Sequence, residues 1–211
     1  MNLEAEEIKN EPSEPSETYP PVTIMWSGGY DSTAALLQYL GSKRDIRLVS
    51  VNLTNQPEQV AMEKAARSRI LELLKARTEK FDERVSYVQQ DWPMLNCGGC
   101  ISLGQPPLWV YIASFCALPG DVVFAWVKHD DVWHNRRDVI DLEYALRPFT
   151  NTKNLLFPFE WDTKEQILKY YRGNEDIFHA LSSCEDGKSW TTHDCPKCNE
   201  LRSLCEKLRK L

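Results

Sequence analysis

Val22-Thr23-Ile24-Met25-Trp26-Ser27-Gly28-Gly29-Tyr30-Asp31-Ser32-Thr33 joins a short apolar run to a glycine pair and then to helix-forming residues. Val22 to Trp26 has the length and β-branched content of a buried strand. Ser32 to Leu40 reads as a helix, with Ala34, Leu36, Leu37 and Leu40 available to cover a sheet. The glycines therefore lie between a strand and a helix N-terminus, where an open parallel sheet presents its ligand crevice. Two glycines allow close backbone approach, and the hydroxyls of Ser27 and Ser32 with helix-start amides make a cradle suited to phosphate oxygens. The plain alternative is a tight turn with a Ser or Asp cap.

Outward from this loop the chain keeps alternating between strand-like and helix-like segments, the pattern of βαβ units around a parallel sheet. Ile46 to Leu53 reads as a second strand, Val85 to Val88 as a third and Asp121 to Val127 as a fourth. Helices are expected at Glu58 to Lys80, Pro107 to Leu118, Arg136 to Leu146, Thr163 to Tyr171 and Asn199 to Leu211. The 211 residues suit one α/β domain with appendages and are too few for two ordinary domains. The expected division is an acidic tail over 1–21, a nucleotide-binding domain over 22–180, and a metal loop with a C-terminal helix over 181–211. There is no internal repeat.

Asn2 to Pro21 carries six Glu against one Lys, with four prolines, and is expected to be a disordered, solvated leader. An acidic start followed by no long apolar run predicts neither a secretory signal nor a membrane span, so a cytoplasmic protein is expected. The net charge of -6 argues against a broad nucleic-acid surface. Seven cysteines in a cytoplasmic chain point to metal ligation or thiol chemistry rather than disulfides. Cys195-Pro196-Lys197-Cys198, with Cys184 upstream, has the spacing of a loop folded around tetrahedral zinc. Cys205, His193, Cys97 and Cys100 are the candidates for the fourth ligand. Unmetallated thiols are the alternative.

Ser27-Gly28-Gly29-Tyr30-Asp31-Ser32 resembles the SGGxDS signature of the PP-loop ATP-pyrophosphatases, matching all five fixed positions in the expected strand-turn-helix context. The resemblance implies an adenine nucleotide α-hydrolase-like, Rossmann-like fold with a parallel five-stranded sheet flanked by helices. It also implies that Ser27, Gly28, Gly29, Asp31, Ser32 and Thr33 bind ATP, with Asp31 beside Mg2+. Within that family the order of features is similar to the 7-cyano-7-deazaguanine synthases of queuosine biosynthesis. Their C-terminal cysteines match Cys184, Cys195 and Cys198, while their fourth position falls on Leu201. Cys205 is taken as the fourth ligand. Asp130, Trp133 and Arg137 match an Asp, an aromatic and an Arg after the fourth strand, although Asn135 and Arg136 replace an Asp and a Cys. Pro158 and Thr163-Lys164-Glu165 match a Pro and a Thr-Lys-x-Glu whose Lys faces an anionic substrate or phosphate.

By this resemblance Asp31, Lys164 and Arg137 are catalytic candidates. The reaction is ATP-dependent adenylation of a deazapurine carboxylate, then conversion with ammonia to amide and nitrile, in a homodimer. Solvated ion pairs are the ordinary fate of such Asp, Lys and Arg side chains. Gly104-Gln105-Pro106-Pro107-Leu108-Trp109 stands where those synthases carry an Arg-Asn pair, which separates the substrate from the reaction type. Cys97-Gly98-Gly99-Cys100 lies where one group of PP-loop tRNA-thiolation enzymes carries its thiols, which makes a tRNA sulfurtransferase the competing reading. A non-catalytic nucleotide-binding accessory protein is the third. Arg202, Lys207, Arg209 and Lys210 read as a solvated helix face.

Overall fold

The computed structural model describes residues 19–53, 57–92, 105–128, 136–149, 152–182, 184 and 186–210. Most of the acidic tail expected over 1–21 lies outside them. The strands are β1 (Val22–Met25), β2 (Ile46–Leu53), β3 (Val85–Trp92), β4 (Gly120–Val123) and β5 (Thr152–Leu156). They form one all-parallel sheet in the order β3-β2-β1-β4-β5. The helices are α1 (Tyr30–Leu40), α2 (Pro57–Lys75), α3 (Phe81–Arg84), α4 (Gln105–Cys116), α5 (Arg136–Leu146), α6 (Lys164–Ile167), α7 (Glu175–His179) and α8 (Pro196–Leu208). The sheet is thus a five-stranded α/β sheet flanked by helices, as expected.

The two-residue period of a strand sends neighbouring side chains to opposite faces, and both faces here are covered. Val22, Ile24 and Trp26 enter one core with Ile46, Leu48 and the buried side of α8. Met25, Val49 and Leu53 enter the other, against Val110, Ile112 and Ala113 of α4. The central strands β1 and β4 are consequently buried at every position. The 181–211 segment joins the first core through Cys198, Leu201, Leu204, Cys205 and Leu208, all on one stripe of α8.

Several boundaries differ from those expected. β3 runs to Trp92 rather than Val88, because eight residues pair in register with β2 at the sheet edge, where Gln89, Gln90 and Asp91 remain in solvent. The fourth strand pairs only through Val123, and beyond it Phe124 donates to the Leu156 carbonyl at 3.0 Å. The second long helix ends at Lys75, and left-handed Lys80 then starts α3. Thr163 caps a short α6 through a reciprocal capping box with Gln166, and the turn tightens to a 3-10 helix over Leu168–Tyr171. Cys195 caps α8, with Pro196 in its first turn, so this helix starts before Asn199. β5 and α7 lacked a clear apolar period and come from the structure alone.

β1 is the point where the chain order reverses: β2 and β3 lie on one side of it, β4 and β5 on the other. The connection leaving the carboxyl end of β1 runs toward β2 and that leaving its neighbour β4 runs toward β5, and these opposite directions open a crevice between the two strands. Among the described residues no helix is long and apolar enough to cross a membrane.

Candidate functional site

The chain leaves β1 through Trp26 and Ser27 and turns sharply at Gly28, whose φ of +83° is left-handed. A Cβ at that position would also lie 2.8 Å from Cγ of Arg67, so glycine is required twice over. Hydroxyls then close the loop on itself. Ser27 Oγ lies 3.1 Å from Ser32 Oγ and accepts from the Gly29 N–H at 3.2 Å, while the Ser27 N–H donates to Ser32 Oγ at 3.2 Å. α1 starts at Tyr30, and the first amides of a helix have no intrahelical acceptor, which leaves a positive helix end at the loop. Asp31 lies in this first turn.

Tyr30 fixes the loop from behind. Its hydroxyl donates to the Lys164 carbonyl at 2.6 Å, its carbonyl accepts from the Tyr171 hydroxyl, and its ring stacks on Tyr171 with centroids 5.0 Å apart. Burial raises the pKa of both phenols, so they remain neutral donors.

In front of the loop opens a cavity of about 460 Å³. Its polar lining comprises Ser27, Gly29, Asp31 and Ser32 of the loop together with Glu63, Lys164, Lys197 and Glu200. Lys164 Nζ lies 2.7 Å from Glu200, so α6 and α8 present a cation and an anion side by side. The rest of the lining is an apolar and aromatic floor that includes Val49, Leu53, Trp109, Phe124 and Trp126. Polar and charged groups of both signs beside an aromatic floor suit a ligand with a polar, metal-bearing end and flat rings.

Cys184 also lines the cavity and begins a second cluster. One ligand atom each from Cys184, His193, Cys195 and Cys198 lies within 4.8 Å of the other three. Tetrahedral zinc with bonds of ~2.3 Å holds its sulfurs about 3.8 Å apart, so small side-chain adjustments close the group on one ion. His193 Nδ1 faces Cys184 Sγ at 3.1 Å and Cys198 Sγ at 3.8 Å, while its Nε2 lies 3.4 Å from the Asp186 carboxylate. A carboxylate on the far nitrogen is the usual support of a metal-binding imidazole. Without a cation, the backbone amide of Cys198 lowers the Cys195 thiol to about 7, and burial raises the Cys198 thiol. The four residues could hold a metal ion such as zinc.

The segment that carries the Cys and His group is docked on the loop after β1. Ser182 N–H donates to the Gly28 carbonyl at 3.1 Å, and left-handed Gly187 packs so closely on the start of α2 that a Cβ would lie 2.8 Å from Gln59 N. α8 carries two ligands, Cys195 and Cys198, and contributes Lys197, Glu200 and Leu201 to the cavity wall.

The structure brings Ser27, Gly29, Asp31, Ser32 and Lys164 together, with Gly28 setting the turn. Three sequence expectations change. The Thr33 side chain is buried and accepts from the Trp26 indole at 3.1 Å, so its hydroxyl supports the fold rather than facing the cavity. Cys205 lies in the hydrophobic core, seven residues or ~10 Å along α8 from Cys198, and His193 takes the fourth place in the group. Arg137 is 90% exposed on α5 beside Asp141 at 3.7 Å and does not line the cavity. Cys97, Cys100, Asp130 and Trp133 lie outside the described residues.

Sequence reading missed Arg67, Glu63 and Glu200. Arg67 could have been found, because it falls on the inward stripe of α2 with Ile70 and Leu74. No protein-family model matches this chain, and no curated protein shows significant similarity to it.

Proposed function

We propose that the protein is an ATP-dependent ligase of the PP-loop type, which adenylates the carboxylate of a 7-deazapurine and passes it to ammonia. The observation that carries this reading is the loop: left-handed Gly28 and paired Ser27 and Ser32 hydroxyls at the N-terminus of α1, opening on a 460 Å³ cavity. The strand order β3-β2-β1-β4-β5, with the loop at the reversal point, supports a Rossmann-like, adenine nucleotide α-hydrolase-like assignment.

In this reading the loop amides and hydroxyls hold the β- and γ-phosphates, and the aromatic floor takes flat purine rings. Asp31 would hold Mg2+, which when bound would supply charge neutralisation on the polyphosphate. Lys164 exchanges its Glu200 partner for a ligand anion. A substrate carboxylate oxygen attacks the α-phosphorus, and the bond to the bridging oxygen breaks to release pyrophosphate. Ammonia then adds at the acyl carbon, loses a proton and expels AMP to give the amide. The amide oxygen then attacks the α-phosphorus of a second ATP, again releasing pyrophosphate, and departure of that oxygen with AMP, with loss of both N–H protons, leaves the nitrile. The protein's contribution is positioning and charge neutralisation, so the loop matters more than any single acid or base. Cys184, His193, Cys195 and Cys198 would hold zinc, which would fix the start of α8 beside the cavity.

The test follows the oxygen. With Mg-ATP, ammonium and 7-carboxy-7-deazaguanine labelled with 18O in its carboxylate, mass spectrometry should find 18O in AMP. ADP and orthophosphate as products, or AMP without label, would exclude adenylation of the carboxylate.

A further inference from the structure

We infer that Arg67 is a positioning residue of the phosphate-binding loop: it holds the Ser27 carbonyl and sets a buried positive charge behind the polyphosphate. This rests on the nucleotide reading above and adds a residue from outside the signature. Arg67 is 1% exposed, an unusual place for a guanidinium. Its Nη1 donates to the Ser27 carbonyl at 2.9 Å and lies 3.4 Å from Glu63, Nη2 donates to Asn52 Oδ1 at 2.6 Å, and Nε donates to the Tyr87 hydroxyl at 2.9 Å. One side chain of α2 thereby ties together β2, β3 and the loop after β1.

Two geometric consequences follow for the loop. In a planar trans peptide the N–H points opposite to the C=O, so turning the Ser27 carbonyl toward Arg67 turns the Gly28 N–H away from it. The Arg67 stem also fills the space beside Gly28, 2.8 Å from the position of a Cβ. The turn is therefore shaped from both sides, by its own hydroxyl bonds and by this clamp.

The charge balance points the same way. Among the described residues Glu63 is the carboxylate in direct contact with Arg67, at a long 3.4 Å, and burial raises its pKa. The next acid, Asp91, is reached through Asn52 and is itself paired with Lys64 at 3.3 Å. A buried cation is costly unless compensated, and an anion bound across the Ser27 peptide supplies compensation. The signature residues explain how phosphate is touched; Arg67 explains why the loop is held open for it.

Calorimetric titration of Mg-ATP into the full-length protein tests this, with Arg67→Lys, Arg67→Met and Tyr87→Phe beside wild type. All are measured at a temperature where circular dichroism shows them folded. Removing the charge and its contacts predicts that Arg67→Met binds Mg-ATP about 30-fold more weakly, and Arg67→Lys, which keeps the charge without the fork that joins Ser27, Asn52 and Tyr87, about 5-fold more weakly. Tyr87→Phe, which leaves the charge and the Ser27 contact in place, should stay within about 2-fold. A purely structural Arg67 would lower the melting midpoints of these variants and leave the affinity of the folded protein unchanged, and unchanged affinity in folded Arg67→Met overturns the inference. A wild type that binds no Mg-ATP overturns the nucleotide reading itself, and this inference with it.

Discussion

Asp31→Ala is expected to reduce pyrophosphate release from Mg-ATP by about 10³-fold, the scale of losing a preorganised electrostatic contact in a catalytic site. Asp31 lies in the first turn of α1 and lines the cavity beside Ser27, Gly29 and Ser32. A carboxylate here does two things. It interacts favourably with the positive end of α1, which is worth about 0.3–1 kcal/mol of stability. It also offers a hard oxygen ligand within reach of anything bound at the loop, the chemistry that Mg2+ on a polyphosphate requires. The two roles separate experimentally: the melting midpoint should fall by only a few degrees, roughly 2–4 °C per kcal/mol for a chain of this size. Asp31→Asn, which keeps the shape and removes the charge, should lose activity nearly as completely. Asp31→Ala with wild-type pyrophosphate release would show that the carboxylate only complements the positive end of α1.

Cys198→Ser has the second large effect. Purified wild-type protein should carry about one zinc per chain by elemental analysis, and Cys198→Ser close to none. Cys198 is fully buried at the start of α8, so its loss opens the metal group and also places a hydroxyl in an apolar site. Structural zinc is worth about 10–16 kcal/mol in peptides with no other core. α8 is additionally held by Leu201, Leu204 and Leu208, so the expected outcome is release of the C-terminal segment and a melting midpoint lower by about 10 °C, not global unfolding. Because α8 brings Lys197 and Glu200 to the cavity, nucleotide affinity should fall with the metal. Cys205→Ser supplies the contrast: it keeps zinc and loses only the cost of a buried hydroxyl, about 1–3 kcal/mol. Zinc retained by Cys198→Ser and lost by Cys205→Ser would reverse the ligand assignment.

The parts of this molecule legible in the sequence are those fixed by local pattern. β2 and the α5 boundaries followed from apolar periodicity, and the loop from Ser27 to Ser32 from glycines flanked by a strand and a helix. Cys184, Cys195 and Cys198 were legible from spacing. The rest depends on tertiary neighbours that spacing does not encode. His193 joins the metal group because the turn before α8 folds back over Cys184, whereas Cys205, a better match by residue type, is carried into the core by the helical rise. Thr33 looks like the last residue of a phosphate loop, yet by then the chain has entered α1 and its hydroxyl meets the Trp26 indole. Arg67 and Glu63 resemble an ordinary solvated pair four residues apart, and only the packing of α2 behind the loop buries them. β5 opens with Thr152, Lys153 and Asn154, a polar start that reads as loop until the edge of the sheet pairs with it.

The most direct test of the central proposal is pyrophosphate release by the purified protein from Mg-ATP, with 7-carboxy-7-deazaguanine and ammonium present together or each omitted in turn. Release that requires the carboxylate, and turnover to nitrile that also requires ammonium, is the expected result. Mg-ATP bound without pyrophosphate release under any of these conditions would contradict it.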